Sequence, residues 1–286
     1  MRSTGGERVF YVFNYIVLTT VGLCTMLPFV HVVSTSLSES RFVISGSVSL
    51  WPRGLTLDAY RFAFANTPVI TAFKNTSIIT FVGTILSLLV ESAAAYPLSI
   101  ISLRGRKQIM YYFIFTMLFS SGLIPGFLLM RTLNLLNNLW SMILPHLVSV
   151  FNLILLKNYY EGLPDSIRES AHMDGANNIT VWRAVVLPMS TPILATVALF
   201  SAVGFWNSYF NAMLYLSDSR KITLQLFLVN LVRQADLTDS ITSEIIVPSQ
   251  TVRAAAVIIG VAPILMVYPF IQRYFVTGIT LGSVKG

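Results

Sequence analysis

The sequence predicts an all-α membrane protein with six spanning helices. Three observations predict it: an apolar majority, a shortage of charge, and six apolar stretches long enough to cross a bilayer. Of 286 residues, 55% are hydrophobic and 11% are charged. Typical soluble domains carry about 25% charged residues, so there is too little charge to coat a water-facing surface. Mean hydropathy is +0.71. The same figures exclude a disordered chain, a collagen-like fibre and a basic nucleic-acid binder. The net charge of +7 is scattered along an apolar chain and reads as orientation charge, not as a phosphate-binding patch. The one cysteine, Cys24, permits no internal disulfide and no Cys-based metal cluster.

A spanning helix needs about 20 mostly apolar residues. The qualifying stretches lie near residues 9–35, 72–100, 108–130, 140–157, 189–212 and 253–272. Arg2 and Arg8 precede the first, which raises a signal peptide. The apolar run from Val9 to Val33 is too long for a signal core, no Ala-x-Ala site follows, and Leu23 before Cys24 breaks a lipoprotein box. The first helix therefore reads as uncleaved. Arg104, Arg106 and Lys107 crowd one very short loop, where positive residues mark the inner side. Both the N- and C-termini are then cytoplasmic, and the whole chain, 1–286, forms one transmembrane domain.

Glu91 is the one acidic residue deep inside a predicted span. Two readings are open. It is a coupling or pore-lining carboxylate, or it is hydrogen-bonded to a neighbouring helix. The second is favoured, because an ion-driven carrier usually has more than one such group. Ser92, Ala93, Ala94 and Ala95 beside it suit close helix packing.

The inner loop 158–188 is unlike the others. Pro164 and Asp165 suit a helix start, and Ser166-Ile-Arg-Glu169 has the form of a capping box. Gly175 breaks that helix, and a second helical segment fits from about Asn178 to Val186, ending before Pro188. Two short helices at a glycine bend make either a rigid knob for a soluble partner or an ordinary amphipathic connector.

Within this loop, Glu169-Ser-Ala171-His-Met-Asp174-Gly175-Ala176, followed by Leu187-Pro188 and Pro192, resembles the EAA motif of ABC-importer permeases. Ser170 stands where Ala is usual, and Trp182 where Phe is common. The C-terminal Gly278-Ile-Thr-Leu-Gly282-Ser-Val-Lys285-Gly286 and the segment Gly204-Phe-Trp206-Asn207-Ser-Tyr209 resemble the maltose-type, MalG-like carbohydrate permeases. With Ala95-Tyr96-Pro-Leu-Ser99 the whole chain is similar to their LplC/YtcP branch. The resemblance implies the type I ABC importer permease fold. It implies a permease subunit of a bacterial carbohydrate importer in the cell membrane. It also implies a sister permease, two ATPase subunits and an external solute-binding protein as partners. Asp174, Gly175 and Ala176 would form the coupling turn, with Glu169 stabilising it and Ala171, Leu187 and Pro188 completing the motif. Gly278, Gly282 and Lys285 would form a tail, 278–286, that docks on the ATPases.

The chain has no G-x-x-x-x-G-K-[ST] loop. It is expected to bind no cofactor itself and to be no enzyme, with ATP and Mg held by the partner ATPases. Sugars are bound by aromatic faces and by amide and hydroxyl groups. The span before the loop offers His146, Ser149 and Asn152, three apart and so on one helical face. The span after it offers Gly204, Trp206, Asn207 and Tyr209. Asn207 lies 19 residues beyond Pro188, about 28 Å along a straight helix. That places it near the outer boundary unless the helix tilts or breaks. The long outer loops, 37–71 and 213–252, are long enough to meet the binding protein, and Thr56-Leu-Asp58-Ala-Tyr60 looks like a helix start.

Three other functions compete. A non-sugar solute is possible for the same machine. An ion-coupled carrier would show inverted repeats and several membrane carboxylates. An intramembrane enzyme would need paired catalytic groups, whereas His31, His146 and His172 stand far apart.

Overall fold

The computed structural model describes residues 5–65, 68–119, 121–241 and 249–283. Helix follows helix. α1 is Gly5–Ser36, α2 Ser40–Ile44, α3 Asp58–Ala65 and α4 Pro68–Ser99. α5 is Arg106–Leu118, α6 Leu123–Thr132, α7 Trp140–Ile143 and α8 Val150–Glu161. The loop holds α9, Asp165–Met173, and α10, Asn178–Val181, which runs through a π-helical turn, Trp182–Val186, into α11, Leu187–Met189. α12 is Thr191–Trp206, α13 Phe210–Tyr215, α14 Leu224–Ile241 and α15 Ser249–Ser283.

The chain divides into two compact units, 1–69 with 228–262, and 70–227 with 263–286. In the first, α1 presents an apolar surface all round: none of the residues in its most apolar window is buried. The loop after it folds back on its end. Glu39 N donates to Arg53 O at 3.0 Å and Thr56 N to Leu37 O at 2.9 Å. The Ser36 and Tyr60 hydroxyls meet at 2.9 Å. The expected helix start is found at Asp58, whose N–H donates to Thr56 Oγ1 at 3.2 Å.

In the second unit, two apolar clusters hold the helices together. One joins Ala95 and Tyr96 of α4 to Leu156 and Tyr160 of α8, Val181 and Val186 of the loop, and Ile193 and Val197 of α12. The other joins Ile79, Met142, Ile143, Phe205, Ala212, Leu216 and Leu226. Phe205 lies so close to α4 that a Cβ on Gly83 would stand 2.8 Å from its ring. Asn137, at φ +58, organises the turn after α13. Its Oδ1 accepts from Ser217 N at 3.0 Å and Asp218 N at 2.9 Å, and Lys221 Nζ donates to its carbonyl at 2.7 Å.

The expected spans differ in continuity. α1 and α4 contain uninterrupted apolar helices, Phe10–Ser36 and Val69–Ser99. The stretches near 108–130, 140–157 and 189–212 are each broken into two helices. Gly122 interrupts the first, with φ +80. The second bends by 49° between His146 and Val150. The third bends by 84° between Met189 and Thr191, and α12 then runs unbroken to Trp206. α15 carries Pro263 and Pro269 in its interior.

Candidate functional site: a glycine-turn loop and a cavity

α9 begins at Asp165 after Pro164, two residues earlier than a Ser166 capping box requires. Ser166 is inside the helix and no side chain caps it. The proline fixes its own φ at −59°, and Asp165 places negative charge in the first turn, where the helix dipole favours it. The helix ends in a Schellman turn. Ala176 N donates to Ala171 O at 3.0 Å and Gly175 N to His172 O at 3.0 Å. Gly175 takes φ +81, a left-handed conformation that costs other residues about 1–2 kcal/mol. The expected break therefore falls at Gly175. Glu169 lies exposed on α9 and makes no hydrogen bond to the turn. The side chain that closes the turn is one the sequence reading missed: His172 Nδ1 meets Ala176 O at 2.9 Å.

The chain restarts at Asn177, whose Oδ1 accepts from Thr180 N at 2.9 Å and Thr180 Oγ1 at 3.0 Å. The second helix does not end before Pro188; it runs through it. Proline has no N–H to give the carbonyl four residues back. The turn widens instead, and Leu187 N donates to Trp182 O. Such π-turns gather at functional sites. Ala171, Ala176 and Trp182 face the α4–α8–α12 cluster. Asp174 and Gly175 at the tip stay exposed, flanked by Met173, 88% exposed, and Ile179, 72% exposed.

Ion pairs fasten the base of this loop. Arg106 bonds Glu161 at 2.9 Å, and Lys157 pairs with the same carboxylate. Lys157 and Arg106 hold the Glu161 carboxyl below the ordinary carboxylate range. Arg106 Nε also donates to Leu98 O at the end of α4, at 2.8 Å.

The second feature is a cavity of about 740 Å³ at the N-terminus of α8. The break after His146 makes it: Ser149 becomes the N-cap of α8, its Oγ accepting from Asn152 N at 3.5 Å. His146, Ser149 and Asn152 are thus not on one continuous helix, yet all three line the cavity. Gly204, Asn207 and Tyr209 line it from the other side, with Ser201, Ser208 and Asn211. The rings of Phe151, Phe200, Phe205 and Phe210 supply apolar wall. No Lys, Arg, Asp or Glu is among the described lining residues. Asn152 Nδ2 donates to Ser201 Oγ at 3.2 Å, joining the walls. Asn211, which the sequence reading missed, meets His146 Nε2 at 2.7 Å. Trp206 is the exception among the expected residues. It is buried away from this cavity, edge-on to Phe73 at 5.8 Å.

Glu91 is fully buried, and its Oε1 accepts from Ser149 N at 2.7 Å. It bonds a neighbouring helix, as the second of the two sequence readings has it. Gly278 and Gly282 lie in the last turns of α15, whose helical backbone runs to Ser283. Lys285 and the rest of the expected tail lie outside the described residues.

Residues 95–281 match the family described as binding-protein-dependent transport system inner membrane component. The chain belongs to that family. The match takes in the loop 158–188 and the cavity residues. The polygalacturonan/rhamnogalacturonan transport system permease protein YtcP of Bacillus subtilis strain 168 is 40% identical over 285 residues, 98% of this chain and 99% of the relative. Protein LplC of the same organism is 39% identical over 289 residues, 100% and 98% of the two chains. A solved bacterial ABC transporter involved in the import of the acidic polysaccharide alginate contains a chain with TM-score 0.84 and 33% identity, covering 96% of this chain and 99% of that one. The chain is therefore a transport component of the inner membrane, similar along its length to sugar permeases.

Proposed function

We propose that this chain is the permease subunit of an ATP-driven oligosaccharide importer, forming half of the pore beside a sister permease. The observation that carries the reading is the coupling turn. A backbone-locked tip, Met173 to Gly175, projects exposed side chains from a base packed on three helices. Such a tip suits a socket on an ATPase subunit. Two copies of the ATPase bind ATP and Mg. Their closure draws the loops together, and the cavity opens outward to receive cargo from a solute-binding protein; hydrolysis resets it. A cycle of this kind needs ATP to favour one of two global states. The chain supplies movement and a path, and no catalysis.

In this reading the chain crosses the membrane six times, with broken helices at three crossings, and both termini are cytoplasmic. Glu169 faces the ATPase socket. Gly278, Gly282 and Lys285 form the docking tail, and the outer loops meet the binding protein. Carbohydrate as cargo is supported twice. Relatives are named for polygalacturonan, rhamnogalacturonan and arabino-oligosaccharide transport. The cavity offers uncharged amides and hydroxyls among aromatic rings, a lining that suits sugar hydroxyls.

A pull-down from mild detergent with a tag on this chain tests the reading. Wild type brings down an ATPase and a second permease, and Gly175→Pro loses the ATPase while keeping the sister. Wild type purifying alone as a homogeneous species would sink the importer reading and turn attention to ion coupling through Glu91.

A further inference from the structure

Glu91 and Ser92 are consecutive residues of α4, yet they reach opposite ends of α8. Glu91 Oε1 accepts from Ser149 N, at the helix start and on the cavity floor, at 2.7 Å. Ser92 Oγ meets Tyr160 OH, in the last turn, at 2.7 Å. The same Ser92 Oγ accepts from Trp182 Nε1 at 3.0 Å, and Trp182 opens the π-turn of the coupling loop. Glu91 is 0% exposed and Ser92 1%, so water does not compete for these bonds. Where it does not, a lost partner costs a buried polar group its hydrogen bond.

Neighbouring residues in a regular helix move together, because their backbones share one hydrogen-bond ladder. A shift of the π-turn that drags Trp182 therefore pulls on Ser92, and through the same backbone on Glu91 and the Ser149 N–H. Asn152 passes the shift to Ser201 on the facing wall. We propose that Glu91 and Ser92 are positioning residues that carry movement of the coupling loop to the cavity, and that neither is a ligand for cargo. The proposal rests on the coupling-loop reading above.

The test uses the assembled transporter in lipid nanodiscs, with Cys24→Ser and Gly204→Cys in this chain. Gly204 is exposed and lines the cavity, and an added Cβ there meets nothing within 4 Å. The rate of maleimide labelling is measured with vanadate-trapped Mg-ATP and without nucleotide. The parent ratio departs from one by about fivefold or more, the lower end of ordinary coupling. Ser92→Ala and Trp182→Phe each bring the ratio to within about twofold of one. Their double variant matches Ser92→Ala, since the Trp182–Ser92 bond that Trp182→Phe deletes is already lost in it. Glu91→Leu collapses the ratio, whereas Glu91→Gln, which keeps an acceptor oxygen for Ser149, holds it within about twofold of the parent.

A parent that responds while Ser92→Ala and Trp182→Phe respond equally overturns the relay alone. Collapse in Glu91→Gln overturns the capping role of its oxygen. A parent that does not respond, though the ATPase is bound, overturns nucleotide-driven access, and the relay falls with it.

Discussion

The coupling turn and the cavity are fixed by different means. Backbone fixes the turn: a glycine at positive φ, two crossed N–H bonds and an asparagine cap hold it, and the side chains at its tip are exposed. Side chains and helix breaks fix the cavity. Its residues come largely from two bent helices, and the Asn152–Ser201 bond cross-links them. A backbone-coded feature should fail sharply at one position and tolerate change around it. A feature assembled from side chains should degrade by degrees.

The largest expected effect breaks the turn. Gly175→Pro removes an N–H donor and forbids φ +81, a change worth about 3 kcal/mol or more. Uptake in cells falls roughly 100-fold at normal membrane levels, at about 1.4 kcal/mol per tenfold. Uptake within twofold of wild type would remove the turn from the coupling path. Gly83→Ala comes next and probes the cavity wall. The new Cβ overlaps the Phe205 ring, overpacking costs about 1–3 kcal/mol, and the midpoint of thermal unfolding in detergent drops. An unchanged midpoint would mean that Phe205 relaxes freely. Asn177→Ala removes the cap of the second loop helix and costs about 1 kcal/mol. Asn177→Asp restores it, and proteolysis at the loop reads both.

The smallest effect is electrostatic. Glu161 is held below its ordinary value of 4.5 by Lys157 and Arg106. Its contribution is therefore present above that value and lost as pH falls through the lower, folded-state value. Being partly exposed, the cluster is worth about 1 kcal/mol at most. Glu161→Gln should flatten the acid limb of a stability-against-pH curve and leave the neutral region almost unchanged. An acid limb of undiminished slope would assign the loss to other carboxylates.

Much of the helical class was legible, because charge scarcity and apolar run length are properties of composition. The turn was legible too, since Gly175 and Asn177 write their conformations locally. The capping box at Ser166 was misread because Pro164 sets the helix start ahead of it. The end of the second helix was misread because a widened turn lets a helix pass Pro188. Three of the apolar stretches look continuous as text and are broken in space. Trp206 points away from the cavity that Gly204 and Asn207 line, because residues one and two apart on a helix do not share a face. Asn211 and His172 were missed because each acts through a partner, four residues away or sixty-five, that no periodicity marks.

Helix α1 has a consequence of another kind. None of the residues in its most apolar window is buried, and its Thr20 and Thr25 hydroxyls bond back to Ile16 O and Gly22 O within the helix. One face is marked only at its C-terminal end, where His31, Ser34 and Ser36 bond Ser49 O, Leu50 O and the Tyr60 hydroxyl. The rest of the helix carries no such mark, so its azimuth is set from that one end. Swaps among Leu, Ile, Val and Phe along it should drift nearly neutrally over generations. The helix preserves a length and a greasiness while its individual letters turn over.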